Sequence, residues 1–176
     1  KLKEEYGEER AQAIFESLLQ RNKASIRVTD LSRKEEIKAL LGASDSLLAP
    51  TGLVKEQGYF ASHDLFAEGA ITIQDESSQL VAPTLELQGD EQVLDACAAP
   101  GGKTAHMASY LTTGQVTSLD LYDHKLTLIQ ENAQRLGVAD RIQTQKLDAR
   151  KVHEFFGKDQ FDKILVDAPC SGIGLL

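Results

Sequence analysis

VLDACAAPGGKT, residues 93–104, places an apolar run, a turn of small residues and the start of a helical pattern in direct succession. The apolar run ends at Asp95, and Gly101 and Gly102 mark the turn that follows it. A strand, a glycine turn and a helix form the arrangement in which backbone N–H groups at a helix start meet a nucleotide-like ligand. The stretch therefore predicts an α/β fold with a ligand site at this turn.

Strands and helices alternate from this stretch onward. The predicted strands cover residues 92–95, 116–120, 141–146 and 162–167, and the predicted helices cover residues 103–111, 123–136 and 150–156. Repeated βα units at this spacing predict a doubly wound parallel sheet, that is, part of a Rossmann-like α/β domain. We assign that domain to residues 66–176. A small α+β subdomain at residues 1–65 precedes it and is predicted to begin with one long helix over residues 2–22.

Acidic residues fall at, or just after, the carboxyl ends of the four predicted strands: Asp95, Asp120, Asp148 and Asp167. Right-handed crossovers bring the carboxyl ends of parallel strands to one edge of a sheet, where ligands bind. Aspartate also ends strands and caps helices without any functional role, and that simpler explanation accounts for two of the four. The complete set predicts a polar ligand site at this edge.

Three nucleotide-like ligands compete for the turn. A dinucleotide site needs G-x-G-x-x-G, and the turn from Ala98 to Lys103 lacks that spacing. A P-loop NTPase needs G-x-x-x-x-G-K-[ST]. Gly102, Lys103 and Thr104 match the end of that motif, but Cys97 stands where its first glycine belongs. The P-loop is therefore a weak alternative.

S-adenosylmethionine is the third ligand and fits best, because it has no diphosphate and needs only a tight turn plus an acid on the second strand. Asp120 follows Gly101 by 19 residues, close to the offset of roughly 20 residues at which an acid reaches ribose hydroxyls. Asp148, after the third strand, is placed to accept from the adenine amine. We therefore predict S-adenosylmethionine as the cofactor.

Cys170 lies in the loop after the last predicted strand, behind Asp167, Ala168 and Pro169. Carbon 5 of cytosine becomes a nucleophile when a thiolate adds at carbon 6. It then attacks a methyl sulfonium, and a base removes the C5 proton. Methylation of an exocyclic amine needs no such thiol. A cysteine at the ligand edge beside a carboxylate favours cytosine-C5 chemistry over a buried structural role. Cys97, inside the turn, is interpreted as a packing residue.

Three segments together resemble the Sun/Fmu-type RNA cytosine-5 methyltransferases. They are residues 73–78 (IQDESS), 95–104 (DACAAPGGKT) and 167–172 (DAPCSG), and they stand in the order and spacing of that family. The resemblance covers nearly the whole chain. It implies a class I S-adenosylmethionine-dependent methyltransferase sheet, of which the chain has a part, preceded by the small linker subdomain of the family.

The resemblance also implies roles for individual residues. Cofactor contacts are implied along the turn, at Cys97, Ala98, Ala99, Pro100, Gly101, Gly102 and Lys103. The ribose acid is implied at Asp120, the adenine-side acid at Asp148 and a substrate-site acid at Asp167. Asp167 is expected to orient a flipped cytosine, with Lys103 near the reacting groups. Cys170 is expected to assist release of the methylated product.

Methylation of carbon 5 of cytosine in RNA is the implied activity, with small-subunit (16S) rRNA as the expected substrate and tRNA as the alternative. In this family the covalent nucleophile is a second cysteine, in a Thr-Cys motif on a later strand, and this chain has no such motif. We expect the chain to be a fragment, without the helical N-terminal RNA-binding domain, and to be inactive by itself. A non-catalytic RNA-binding or partner-binding module of the same fold is a further alternative.

Composition sets the remaining expectations. The 176 residues have a net charge of −8, and 41% are hydrophobic and 26% charged, which is typical of a soluble globular chain. Each half has more acidic than basic residues, so an RNA-binding surface has to be a local patch, formed by Lys103, Arg150 and Lys151, or lie elsewhere. Two cysteines 73 positions apart argue against a disulfide or zinc site, and we predict no metal. Without a signal peptide or membrane-spanning run, we expect a cytoplasmic protein.

Overall fold

The computed structural model describes residues 1–18 and 23–168 of the chain, and within them it has two four-stranded β-sheets. The first sheet is antiparallel and the second is parallel. Each has its own hydrophobic core: Ile26, Leu53 and Ile71 are fully buried in the first, and Val93 and Val116 in the second. The predicted order of a small α+β unit followed by a Rossmann-like sheet is confirmed.

The first sheet is accompanied by four helices. Its strands are β1 (Ala24–Val28), β2 (Ser44–Asp45), β3 (Gly52–Lys55) and β4 (Ile71–Ile73), and its helices are α1 (Leu2–Tyr6), α2 (Glu8–Leu18), α3 (Lys34–Leu41) and α4 (Asp64–Ala67). The strand order is β2-β3-β1-β4, and every pair is antiparallel. Because β1 lies between β3 and β4, four of its five residues are buried.

The N-terminal helix differs from the prediction. The sequence predicts one helix over residues 2–22, whereas the structure has α1 and α2, separated at Gly7 with φ of 81°. That left-handed backbone cannot continue a right-handed helix, and glycine adopts it without steric cost. Residues 19–22 lie outside the described part of the chain.

The second sheet follows two short helices, α5 (Glu76–Gln79) and α6 (Val81–Thr84). Its strands are β5 (Gln92–Asp95), β6 (Gln115–Asp120), β7 (Ile142–Lys146) and β8 (Lys163–Leu165), and its helices are α7 (Gly102–Ala108), α8 (Asp123–Arg135) and α9 (Val152–Phe155). The strand order is β7-β6-β5-β8, and all pairs are parallel. The chain adds β6 and β7 on one side of β5 and then places β8 on the other. A reversal of this kind opens a crevice at the carboxyl ends of the strands.

Arg135, at the end of α8, joins the two sheets. Its guanidinium donates to the carbonyl oxygens of Phe66 at 2.8 Å and Ile71 at 3.2 Å, and it lies 3.9 Å from the centroid of the Phe66 ring. The first sheet extends to Ile73, beyond the predicted domain boundary after residue 65, and the boundary itself stays a prediction. Within the described residues, no helix has the length and apolar character that crossing a membrane requires.

Candidate functional site

Two adjoining cavities lie beside the turn after β5. The larger one, at the carboxyl ends of the parallel strands, has a volume of about 830 Å³. Three of the four predicted carboxylates line it: Asp120 after β6, Asp148 after β7 and Asp167 after β8. From the turn after β5, the side chains of Cys97 and Ala99 face the same space. The expected convergence at one sheet edge is therefore present for these three acids, whereas Asp95 does not line this cavity.

A second, smaller cavity of about 230 Å³ adjoins the first one. The two cavities share Cys97, Ala99 and Asp167 as lining residues. The smaller cavity is also lined by Asp95 and Lys103, and it includes Ala98, Pro100 and Gly102 of the turn. Its opposite wall comes from the segment after β4, namely Gln74, Asp75 and Ser78. The end of the antiparallel sheet, at Ile73, and the segment that follows it therefore contribute directly to the walls beside the turn.

The turn between β5 and α7 is fixed by backbone hydrogen bonds. The amide of Ala98 donates to the carbonyl of Leu119 on β6 at 3.0 Å, and the amide of Gly101 donates back to Ala98 at 2.8 Å. Gly101 has φ of +99°, and a Cβ atom there would lie 3.1 Å from Cα of Ile129 on α8. Gly101 lines neither cavity, so in the structure it lets the turn pass against α8.

Asp95 is the most buried of the four acids, with 1% of its surface exposed. Its Oδ2 accepts from the Thr104 hydroxyl at 2.7 Å. Its Oδ1 is buried and has no hydrogen-bond partner among the described residues. Burial raises the pKa of this carboxyl and outweighs the opposing effects of Thr104, the nearby Cys97 amide and Lys103. A buried acceptor of this kind is costly unless a ligand supplies a donor.

Asp120 and Asp148 occupy the other two strand ends and differ in their surroundings. The Asp120 side chain is 11% exposed, and its Oδ1 accepts from the Tyr122 amide at 3.2 Å. Asp148 is held by Arg150, which donates to both carboxylate oxygens through Nε, at 3.0 and 3.1 Å, and through Nη2 at 2.6 Å. These hydrogen bonds lower the pKa of Asp148 to about 2, so this carboxyl is ionised at neutral pH.

The predicted catalytic residues lie between the two cavities, as far as the structure describes them. Nζ of Lys103 lies 2.6 Å from Oδ2 of Asp167, and this ion pair connects the turn with the end of β8. Cys170, the third predicted catalytic residue, lies outside the described residues. Cys97 is partly exposed and lines both cavities, so its side chain is available to a ligand as well as to packing. Burial and the carboxylates of Asp95, Asp120 and Asp167 raise the pKa of its thiol.

Asp75, in the quoted segment 73–78, was not predicted as a site residue, yet it lines the smaller cavity. The proposed basic patch is largely neutralised locally, because Lys103 and Arg150 each pair with a carboxylate. Arg150 was considered only for that patch, yet it lines the larger cavity. Among the described residues, no group of three or more His, Cys, Asp and Glu side chains is arranged to hold a metal ion.

Known proteins of similar sequence are ribosomal RNA methyltransferases. The chain is 44% identical over 178 aligned positions to a probable ribosomal RNA small subunit methyltransferase B of Bacillus subtilis, an alignment that covers 97% of this chain and 40% of that protein. It is 40% identical to ribosomal RNA small subunit methyltransferase B of Klebsiella pneumoniae over 63% of this chain and 25% of that protein. The chain thus spans less than half the length of these relatives.

Solved structures show the same architecture. A methyltransferase homologue from Pyrococcus horikoshii superposes with a TM-score of 0.82 at 28% identity, over 95% of this chain and 56% of that one. The family model for the 16S rRNA methyltransferases RsmB/F matches residues 82–176, which include the turn, the parallel sheet and the last carboxylate. The chain therefore belongs to the RsmB/F family of 16S rRNA methyltransferases, whose parallel sheet is that of class I methyltransferases.

Proposed function

We propose that the chain forms the S-adenosylmethionine-binding part of an enzyme that methylates carbon 5 of cytosine in small-subunit rRNA. The observation that supports the proposal most strongly is the placement of Asp120. It ends the strand next to β5 and lines the large cavity together with Cys97 and Ala99 of the turn. An acid at this place is the group expected to accept from ribose hydroxyls.

The residues present fit this cofactor in size and charge. A cavity of about 830 Å³ lies within the range of roughly 300–1,000 Å³ found for small-molecule sites. S-adenosylmethionine has a positive sulfonium and a positive ammonium group. The two cavities are lined by five carboxylates, Asp75, Asp95, Asp120, Asp148 and Asp167, against three cationic side chains, Lys103, Lys125 and Arg150. Carboxylates in a partly enclosed site attract such a cation more strongly than they do in open water.

Each end of the cofactor has a proposed acceptor. Asp120 accepts from the ribose hydroxyls, and Asp148, oriented by Arg150, accepts from the adenine amine at the far end of the large cavity. Asp95 accepts from the ammonium of the methionine end through Oδ1, the buried oxygen without a partner among the described residues. The methionine end then extends past the shared wall into the smaller cavity, where Lys103 and Asp75 also lie.

The proposed roles of residues at the cytosine follow from the resemblance to the family. When bound, S-adenosylmethionine supplies an electrophilic methyl group. Asp167 orients the flipped cytosine by accepting from its polar edge, and Lys103 holds Asp167 in place through their ion pair. In the proposed reaction a cysteine thiolate of the enzyme would add to carbon 6, and carbon 5 would take the methyl group with S-adenosylhomocysteine as the leaving group. Loss of the C5 proton to a base would then release the thiolate. Cys170 assists that release.

Calorimetric titration of the chain with S-adenosylhomocysteine tests the cofactor site. We expect saturable binding that Asp120→Ala abolishes and that Asp140→Ala preserves. Asp140 is an exposed acid before the opposite end of β7, and it lines neither cavity. Binding of MgATP in place of the nucleoside would contradict the proposal and favour a P-loop NTPase.

The reaction needs a protein of the relatives' full length that contains this chain. We expect it to transfer labelled methyl groups to small-subunit rRNA and to leave 5-methylcytosine, detected by bisulfite sequencing. Transfer to tRNA alone would mean that tRNA, and not small-subunit rRNA, is the substrate. Cofactor binding without transfer to any RNA would indicate a non-catalytic binding module.

A further inference from the structure

Arg27 on β1 is a buried cation in the small sheet, with 2% of its surface exposed. Burial lowers its pKa to about 10, so the guanidinium stays charged at neutral pH. Among the described residues it has no carboxylate within ion-pair distance, and the charged or titratable groups that interact with it include Tyr110, Arg135 and His106. Burial of a charge without an ion pair is unfavourable, so the hydrogen bonds of this guanidinium have to offset that cost.

Its hydrogen-bond partner is a side chain in the wall of the smaller cavity. Nε of Arg27 donates to Oε1 of Gln74 at 2.8 Å, and both residues are buried. Nε2 of Gln74 then donates to the carbonyl of Ser78 at 3.3 Å. The backbone carbonyl of Gln74 accepts from Nε2 of Gln79 at 2.9 Å. Arg27 therefore fixes the orientation of the Gln74 side-chain amide. The amide oxygen faces Arg27 in the sheet, and the amide nitrogen faces the carbonyl of Ser78.

Arg27 also lies close enough to α7 to influence a side chain of that helix. Its charge contributes to the lowered pKa of His106, a buried residue of α7. Helix α7 begins at Gly102, and Gly102 and Lys103 line the smaller cavity opposite Gln74. The guanidinium is therefore hydrogen-bonded to one wall and electrostatically coupled to the helix that continues from the other.

We infer that Arg27 is a positioning residue of the cofactor site: through Gln74 it sets the wall, residues 74–78, against which the methionine end of the cofactor packs. The inference rests on the proposed function, because it assumes that this end occupies the smaller cavity. On this inference the small α+β unit, through Arg27, contributes to cofactor binding. Arg27 itself lines neither cavity, so any effect on the ligand passes through the residues that it contacts.

Two ligands that differ only at the relevant end provide the test. Arg27→Met removes the charge and the donor but keeps a long side chain. We expect it to weaken binding of S-adenosylhomocysteine about tenfold, the equivalent of losing one well-oriented hydrogen bond, and to leave the binding of adenosine unchanged. Arg27→Lys, which keeps the charge and a donor, should recover part of the loss.

The double variant Arg27→Met/Gln74→Met separates positioning from folding. It replaces both partners by apolar groups, so the free energy of unfolding should stay close to that of the wild type. Its affinity for S-adenosylhomocysteine should fall no further than that of Arg27→Met, because the two residues act as one unit. Equal weakening of both ligands, or no change in either, would overturn the inference.

A structural readout keeps the inference separate from the proposed function. The side-chain amide protons of Gln74 should be protected from exchange in the wild type and exposed in Arg27→Met, as followed by nitrogen-15 NMR. Unchanged protection would refute positioning by Arg27, whatever the ligand data show. If the wild type binds no S-adenosylhomocysteine, the proposed function fails, and the positioning of Gln74 is decided by this exchange measurement alone.

Discussion

His106 should make the stability of this protein depend steeply on pH in the mildly acidic range. The side chain lies on α7 with 1% of the residue exposed, and its Nδ1 has no hydrogen-bond partner among the described residues. The hydroxyl of Tyr110 lies 3.4 Å from Nε2. Burial, assisted by the charge of Arg27, lowers the pKa of His106 from 6.5 to about 3. The imidazole is therefore neutral in the folded protein across the whole range from pH 7 to pH 5.

The sign and size of the effect follow from proton linkage. Below pH 6.5 the unfolded chain binds a proton at this histidine and the folded chain does not, so acid favours unfolding. Between pH 7 and pH 5 this single group should remove about 2 kcal/mol of stability. Because the folded imidazole is already neutral at pH 5, the size of this loss is set by the pKa of 6.5 in the unfolded chain.

Urea denaturation followed by circular dichroism at pH 7, 6 and 5 measures this loss. His106→Gln removes the titrating group, so its free energy of unfolding should fall by about 2 kcal/mol less than that of the wild type over this range. His153→Gln, at an exposed position on α9, is the matched control and should keep the wild-type slope. Identical slopes in the wild type and His106→Gln would refute the reasoning, as would an NMR titration of His106 with a midpoint near pH 6.

Three further predictions concern the turn after β5, the contacts of Arg135 between the two sheets, and the pair of Asp148 and Arg150 at the larger cavity. Gly101→Ala should lower the free energy of unfolding by about 1–3 kcal/mol, because φ is +99° and the new Cβ would press on α8. Gly102→Ala is the control: its Cβ meets nothing within 4 Å, so the free energy of unfolding should change by less than about 1 kcal/mol. Similar urea midpoints for the pair would contradict this. Arg135→Ala should cost about 2–4 kcal/mol through lost hydrogen bonds, and Arg135→Lys should cost less. Arg150→Ala should raise the pKa of Asp148 from about 2 towards 3.8 in a carbon-13 NMR titration, and an unchanged pKa would show that the pair does not form in solution.

The parallel sheet was predictable because its determinants are local in the sequence. The apolar run that ends at Asp95, the glycine turn and the repeated βα spacing define β5 to β8. The first three strands lie within one residue of the predicted bounds, whereas β8 (Lys163–Leu165) is shorter than the predicted 162–167. Asp120 and Asp148 were found for the same reason, since the ends of parallel strands meet at one edge. The predicted helix over residues 2–22 was wrong because one left-handed glycine, Gly7, outweighs the amphipathic pattern on both sides of it.

The smaller cavity was not predictable, because its walls meet only in the folded chain. Gln74 and Asp75 come from the end of the antiparallel sheet, and Lys103 comes from the turn after β5. No local pattern relates these positions. The pairing of Arg150 with Asp148 was also missed, because the sequence places the two residues side by side without showing that the side chain folds back on the carboxylate.

The pairing of β5 with β8 has a consequence for how the chain folds. Gln92 and Asp162 are 70 positions apart, and they join through both the amide of Gln92 and the amide of Asp162. At a synthesis rate of about 5–20 residues per second, one edge of β5 waits roughly 4–14 s for its neighbour to leave the ribosome. The antiparallel sheet has all four of its strands by Ile73 and is able to form first. An uncovered strand edge can pair with other strands, so the nascent chain is exposed to mispairing at β5 during this interval.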